Sequence, residues 1–128
     1  MSVRSLDPGT AVLLIAHGSR LAAANADLLA LAEQLHSRFP GHVIETAYLE
    51  LTEPTIPQGA VRCVSLGAKR VLILPYFLSA GTHVTEDLQR FRAQFAEQWP
   101  SVRFDLCLPL GLHPLMLDIL CDRLSESL

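Results

Sequence analysis

The chain has 128 residues, half of them hydrophobic, with 10 Lys and Arg against 13 Asp and Glu and a net charge of −3. This length fits one domain, 1–128, around one core, and an acidic balance with few aromatics excludes a typical nucleic-acid surface, which needs clustered cations. Its apolar stretches, Ala11–Ala16 and Val71–Ala80, fall well short of the roughly 18–20 residues that cross a bilayer, and the polar, turn-like Met1–Gly9 lacks a secretory pattern, so a cytoplasmic protein with no membrane partner is expected, with residues 1–9 free to flex.

Val12–Ala16 is a continuous apolar run stopped by His17-Gly18-Ser19, the pattern of a strand buried on both faces. From Asn25 to Phe39, Leu28, Leu29, Leu31, Ala32, Leu35 and Phe39 fall at helical spacing before Pro40-Gly41, which predicts a first helix. Val43–Leu49 is short and β-branched, and Thr52 to Pro57 supplies caps and turn residues ahead of a helix over Ile56–Leu66. Gly67 then closes that helix, with Lys69 and Arg70 beyond it.

Val71–Pro75 repeats the buried-strand signature, and Pro75–Thr82 is a loop of small residues, so the third strand is expected to end near His83. A third helix follows over Val84–Gln98, stopped by Trp99-Pro100; Val102–Leu108 is a fourth strand and Pro114–Leu124 a last amphipathic helix. Alternating strands and helices predict an α/β fold: a three-layer sandwich in which a four-stranded parallel sheet is flanked by helices.

In such a sheet ligands bind beyond the carboxyl ends of the strands, which brings His17 and His83 to one edge. Neutral imidazole can ligate Co²⁺, Fe²⁺ or Ni²⁺ or accept a proton, and adjacent glycines let a ligand approach the backbone. Glu50, just after the second strand, can take a proton or help hold a cation; Glu53, beside Pro54, reads instead as a helix-start residue. Gly18-Ser19 ahead of the first helix resembles a small anion seat, with Arg20 as a bidentate partner for a substrate carboxylate.

His36 reads as exposed on the first helix, His42 as a turn residue and His113 as a loop residue ahead of Pro114. Cys63, Cys107 and Cys121 are odd in number and far apart, so neither a disulfide framework nor a zinc knuckle is suggested.

Three blocks, Leu14–Arg20, Ala47–Ile56 and Leu74–Leu88, with Pro109–Pro114 after them, together resemble the sirohydrochlorin chelatase and cobaltochelatase family, small single-unit form. The resemblance covers most of the chain. It implies insertion of Co²⁺ or Fe²⁺ into sirohydrochlorin or a related tetrapyrrole, without ATP, in cobalamin or siroheme biosynthesis. It further implies that His17 and His83 handle the metal and that Glu50 shares their site, with Gly18, Ser19, Arg20 and the loop Ser79, Ala80, Gly81 and Thr82 facing the tetrapyrrole. The divalent metal is then substrate, and no permanently bound cofactor is expected.

Longer members of that family carry two such units, so a homodimer is the expected way for one unit to complete its cavity. Leu21-Ala22-Ala23-Ala24 stands where relatives often carry charged or proline residues, which bears on contacts at the cavity mouth.

Two other readings compete. A histidine phosphatase also places His-Gly after a strand, but with Arg directly before it, where this chain has Ala16. A non-catalytic tetrapyrrole or metal carrier would use the same histidines.

Overall fold

The computed structural model of the chain describes residues 5–128. In chain order the elements are β1 (Thr10–Ala16), α1 (Ala22–Arg38), β2 (Ile44–Tyr48), α2 (Ile56–Ser65), β3 (Arg70–Pro75), α3 (Thr82–Gln98), β4 (Arg103–Leu106) and α4 (Leu115–Glu126). The four strands form one parallel sheet in the order β2-β1-β3-β4, the α/β layering expected from the alternation of patterns. Among the described residues no helix is long and apolar enough to cross a membrane.

β1 is central and buried nearly end to end. Strand side chains alternate between faces. Leu13 and Ile15 join Ile73 and Phe104 beneath α2 and α3, where Ile56, Ala60, Cys63, Leu88 and Phe95 close the main core. On the opposite face Leu14 and Tyr48 meet Leu28 and Ala32 of α1 in a smaller cluster. Gly59 lets α2 lie close on the sheet, because a Cβ there would stand 2.6 Å from Leu13 Cδ1.

The third strand departs from the sequence reading. Its burial alternates, with Val71, Ile73 and Pro75 buried and Arg70, Leu72 and Leu74 half-buried. The apolar run is thus covered fully on the α2–α3 side alone.

Two helix starts also shift. α1 begins at Ala22 rather than Asn25, because the alanines that carry no amphipathic signal are the strongest helix formers. α3 begins at Thr82 rather than Val84, with Gly81 in extended conformation as its cap residue. β3 therefore ends at Pro75, and His83 lies inside the first turn of a helix instead of at a strand end. β4 is shorter than Val102–Leu108, and α4 runs on past Leu124.

The flexible lead-in expected over 1–9 falls in part on residues 1–4, outside the described residues. Past them, the Gly9 carbonyl accepts hydrogen bonds from the Lys69 and Arg70 amides at 2.8 and 3.2 Å.

Candidate functional site

The carboxyl edge of the sheet is formed by the ends of β1 and β3 and the segments that leave them. Pairing continues past the strands: Tyr76 N–H donates to the Ile15 carbonyl at 2.7 Å, Leu49 N–H to Ala16 and Glu50 N–H to His17, the last two at 2.9 Å. His17 and Glu50 are thereby fixed side by side through the backbone. Both side chains are exposed.

The turn that permits this contains Gly18, with φ of +98°. A Cβ at this position would lie 1.9 Å from the Glu50 carbonyl oxygen. Only glycine satisfies both the left-handed backbone and the contact.

The His17 ring stacks on Phe77, with centroids 4.3 Å apart and planes inclined by 28°. Phe77 is buried just beyond β3, so it supports one face of the imidazole while the ring edge meets solvent. The sequence reading missed this residue. An aromatic in a loop of small residues was the available signal, but its partner lies on another strand.

Ser19 is differently employed from a free anion seat. Its N–H donates to Asn25 Oδ1 at 3.0 Å, Asn25 Nδ2 donates back to the Ser19 carbonyl at 2.7 Å, and the Ser19 hydroxyl accepts from Leu21 N–H. Asn25, whose own carbonyl accepts from the Tyr48 hydroxyl, therefore locks the loop after His17. Arg20 is exposed, and no ion pair is recorded for it among the described residues.

His83 is exposed in the first turn of α3, which has no side-chain cap and no acidic residue in that turn. Helix N-termini leave backbone N–H groups free and carry partial positive charge, so Gly81-Thr82-His83 presents donors next to an imidazole. Because α3 follows β3, this turn lies on the same sheet edge as His17. Ser79 and Ala80 precede it in the same connection, Ser79 exposed and Ala80 half-buried.

The remaining histidines are occupied by structure or solvent. His42 Nδ1–H donates to the Thr10 carbonyl at 2.8 Å at the amino end of the sheet. His113 Nδ1 accepts from Leu115 N–H at the start of α4. His36 is exposed on α1. Glu53 does not begin α2; Thr55 caps it, with Gln58 completing a reciprocal capping box.

Burial raises the Cys63 thiol from 9.0 to about 12, helped by the negative charge of Glu45. Burial also raises Cys107, with Asp105 adding to the shift and Arg70 opposing it.

Two grooves of about 580 Å³ each run along the β2 side and hold neither His17 nor His83. A smaller cavity of about 110 Å³, lined by Pro75, Ala80, Thr85, Leu88 and Cys107 among others, lies where β3 and β4 end. The chemistry-bearing residues, rather than the larger grooves, define the candidate site, and its edge is open. Among the described residues no three His, Cys, Asp or Glu side chains converge on a position that would hold a cation. One copy thus supplies separated donors along an edge.

Residues 11–127 match the family model CbiX. The chain is 35% identical over 119 residues to a sirohydrochlorin cobaltochelatase of Priestia megaterium, covering 93% of this chain and 39% of that protein. It is 32% identical over 117 residues to a chloroplastic sirohydrochlorin ferrochelatase of Arabidopsis thaliana, covering 91% and 52%. Among solved structures, the sirohydrochlorin chelatase SirB of Bacillus subtilis subspecies spizizenii in complex with cobalt superposes with a TM-score of 0.83 at 30% identity, over 91% of this chain and 50% of that one. The chain thus spans about half or less of the length of these relatives.

Proposed function

The chain belongs to the CbiX family, and we propose from that premise that it inserts a divalent metal, Co²⁺ or Fe²⁺, into sirohydrochlorin or a related tetrapyrrole without nucleotide hydrolysis. The observation that carries this reading is the placement of His17: an exposed imidazole at the end of the central strand, backed by Phe77 and joined to Glu50 through the backbone. Relatives that align over most of the chain at about one-third identity, sirohydrochlorin chelatases, support the substrate class.

The reaction exchanges two pyrrole protons for one M²⁺, so a site must present a partly dehydrated cation and accept two protons. Imidazole nitrogen suits both tasks. His17 and His83 divide them, and Glu50 takes up a proton or neutralises the cation beside His17. The free N–H groups at Gly81, Thr82 and His83, with Arg20 across the edge, receive the carboxylates on the macrocycle rim. The metal, Co²⁺, Fe²⁺ or Ni²⁺, passes through as substrate, with no permanently bound cofactor.

A single open edge covers one side of a flat macrocycle. A second copy facing it across a two-fold axis closes the cavity and doubles the donors, so the working form in this reading is a homodimer in the cytoplasm.

The test mixes purified protein with sirohydrochlorin and Co²⁺, Fe²⁺ or Ni²⁺ in turn and follows the absorbance change against a protein-free blank. Insertion faster than the blank, without added ATP, is the expected result. Tight binding of tetrapyrrole or metal with no acceleration would identify a carrier and end the chelatase reading.

A further inference from the structure

We infer that Leu51 is a contact for the tetrapyrrole: it presents an apolar side chain beside His17 and Glu50, where one face of the macrocycle lies during insertion. This rests on the chelatase reading above and adds to it a residue that holds the ring rather than the metal. It starts from a backbone conformation that a leucine has no local reason to adopt.

Leu51 has φ of +70° and is the one non-glycine residue of positive φ among the described residues. Glycine enters that region freely, whereas a side chain crowds the adjoining carbonyl there. The surrounding chain enforces the conformation. Residues 49–54 form a loop pinched at its base, where Tyr48 N–H donates to the Pro54 carbonyl at 2.8 Å, and tied to the end of β1 by the Leu49 and Glu50 amides. Within it the Glu50 carbonyl oxygen stands 1.9 Å from the place a Gly18 Cβ would take, so the Glu50–Leu51 peptide is pressed against Gly18 and cannot turn over. Two left-handed residues, Gly18 and Leu51, thus flank one peptide, and only the first is glycine.

Inside one copy the leucine side chain gains nothing for this strain. It is 53% exposed and belongs to neither buried cluster. Glycine would hold the same turn without the crowding. A strained residue with an idle side chain at a functional edge points to a role in what binds there.

The neighbours of Leu51 define the chemistry of that ligand. Leu21 follows the locked loop after His17, Tyr76 is tied to Ile15 at the end of β1, and both are exposed, as is Leu78. The segments leaving β1, β2 and β3 therefore each carry an exposed apolar side chain, and one imidazole and one carboxylate stand among them. Because the strands run β2-β1-β3, Leu51 and Tyr76 lie on either side of His17, two strand spacings or about 10 Å apart, which matches the breadth of a ring of four pyrroles. Such a ring has apolar faces, nitrogens at its centre and carboxylates on its rim, so apolar side chains flanking an imidazole suit its face.

The test uses the full chain with Leu51→Gly, which keeps the left-handed turn and removes the side chain, and Leu51→Met, which keeps an apolar one. Sirohydrochlorin is titrated without metal by its change in fluorescence, Co²⁺ insertion is followed by absorbance with each substrate varied in turn, and every variant is melted and sedimented. Leu51→Gly is expected to melt at or above the parent's temperature and to sediment as the parent does. Its Kd and KM for sirohydrochlorin should rise about tenfold, the loss expected for one leucine no longer buried, with KM for Co²⁺ held within about twofold. Leu51→Met should recover most of the ring affinity.

Parental ring affinity in Leu51→Gly, or a lower melting temperature, would show that the leucine serves the loop alone. Altered sedimentation would assign it to a contact between copies. Each of these overturns the proposal. Parent protein that binds sirohydrochlorin without inserting metal would end the chelatase reading, while the metal-free titration would still decide for or against Leu51. Parent protein that does not bind sirohydrochlorin would overturn both.

Discussion

The His17 carbonyl accepts the Glu50 amide at 2.9 Å, so the imidazole and the carboxylate leave adjacent strands from two residues joined by one backbone hydrogen bond. Their spacing is therefore set by sheet geometry rather than by side-chain packing. A change that opens this bond alters both groups together.

Gly18 is the residue on which that bond depends. Gly18→Ala puts a Cβ against the Glu50 carbonyl oxygen in a left-handed backbone; the expected cost is about 1–3 kcal/mol of stability, with most insertion activity lost. Chemical denaturation alongside the absorbance assay checks both. A stable variant that retains full turnover would show that the turn does not set the site.

The two histidines are expected to separate in their structural effects. His83→Ala removes an exposed side chain with no recorded partner among the described residues, so its stability should stay within about 0.5 kcal/mol of the parent. His17→Ala also loses the stack on Phe77, which contributes about 0.5–1.5 kcal/mol. Each variant should insert metal at least about a hundredfold more slowly. Near-parental turnover in either one would remove that residue from the proposed chemistry.

Thr55→Ala removes the hydroxyl that accepts from Gln58 N–H at the start of α2, while the bond from the residue 55 N–H to Gln58 Oε1 stays available. The expected loss is about 1 kcal/mol, read from denaturation midpoints at unchanged slope. Because Thr55 is remote in role from His17 and His83, turnover per folded molecule should not change.

The Cys63 thiol gives a pH dependence with a defined sign. Burial holds its folded-state value at about 12 against an ordinary 9.0, so between those values the unfolded chain has lost a proton that the folded chain retains. The resulting stability is fully present below pH 9, declines above it and is lost as pH passes the folded value. Denaturation between pH 8 and about 11 should show a fall that Cys63→Ala reduces. An equal fall in the variant would assign it to other groups.

The sheet was legible because its strands are short runs that end in turn residues, and β1 was clearest since both its faces are buried. α2 was equally plain, with a threonine cap and Gly67 at its close. The starts of α1 and α3 were not: an alanine run has no periodicity, and Thr82 and Val84 are poor helix formers that an N-terminal turn still accepts.

His17, Glu50 and the edge they share could be read from strand order in sequence. Phe77 and Asn25 could not, because a ring stack and a loop lock join residues whose nearness is fixed only by the finished sheet. The periodicity of α4 identified an apolar stripe, and in the folded chain that stripe is exposed.

β1 is hydrogen-bonded to neighbours on both sides, and these ladders extend through Ile15 and Ala16 to Tyr76 and Leu49. These two amides close the last rungs of their ladders, so they are expected to exchange more slowly than the amides of the loops that follow them. His83, one turn into a solvent-facing helix, belongs with the faster ones. The edge thus joins an imidazole whose backbone is tied into the sheet to one carried by an uncapped helix turn, and in the proposed reaction a macrocycle would meet these two unlike supports.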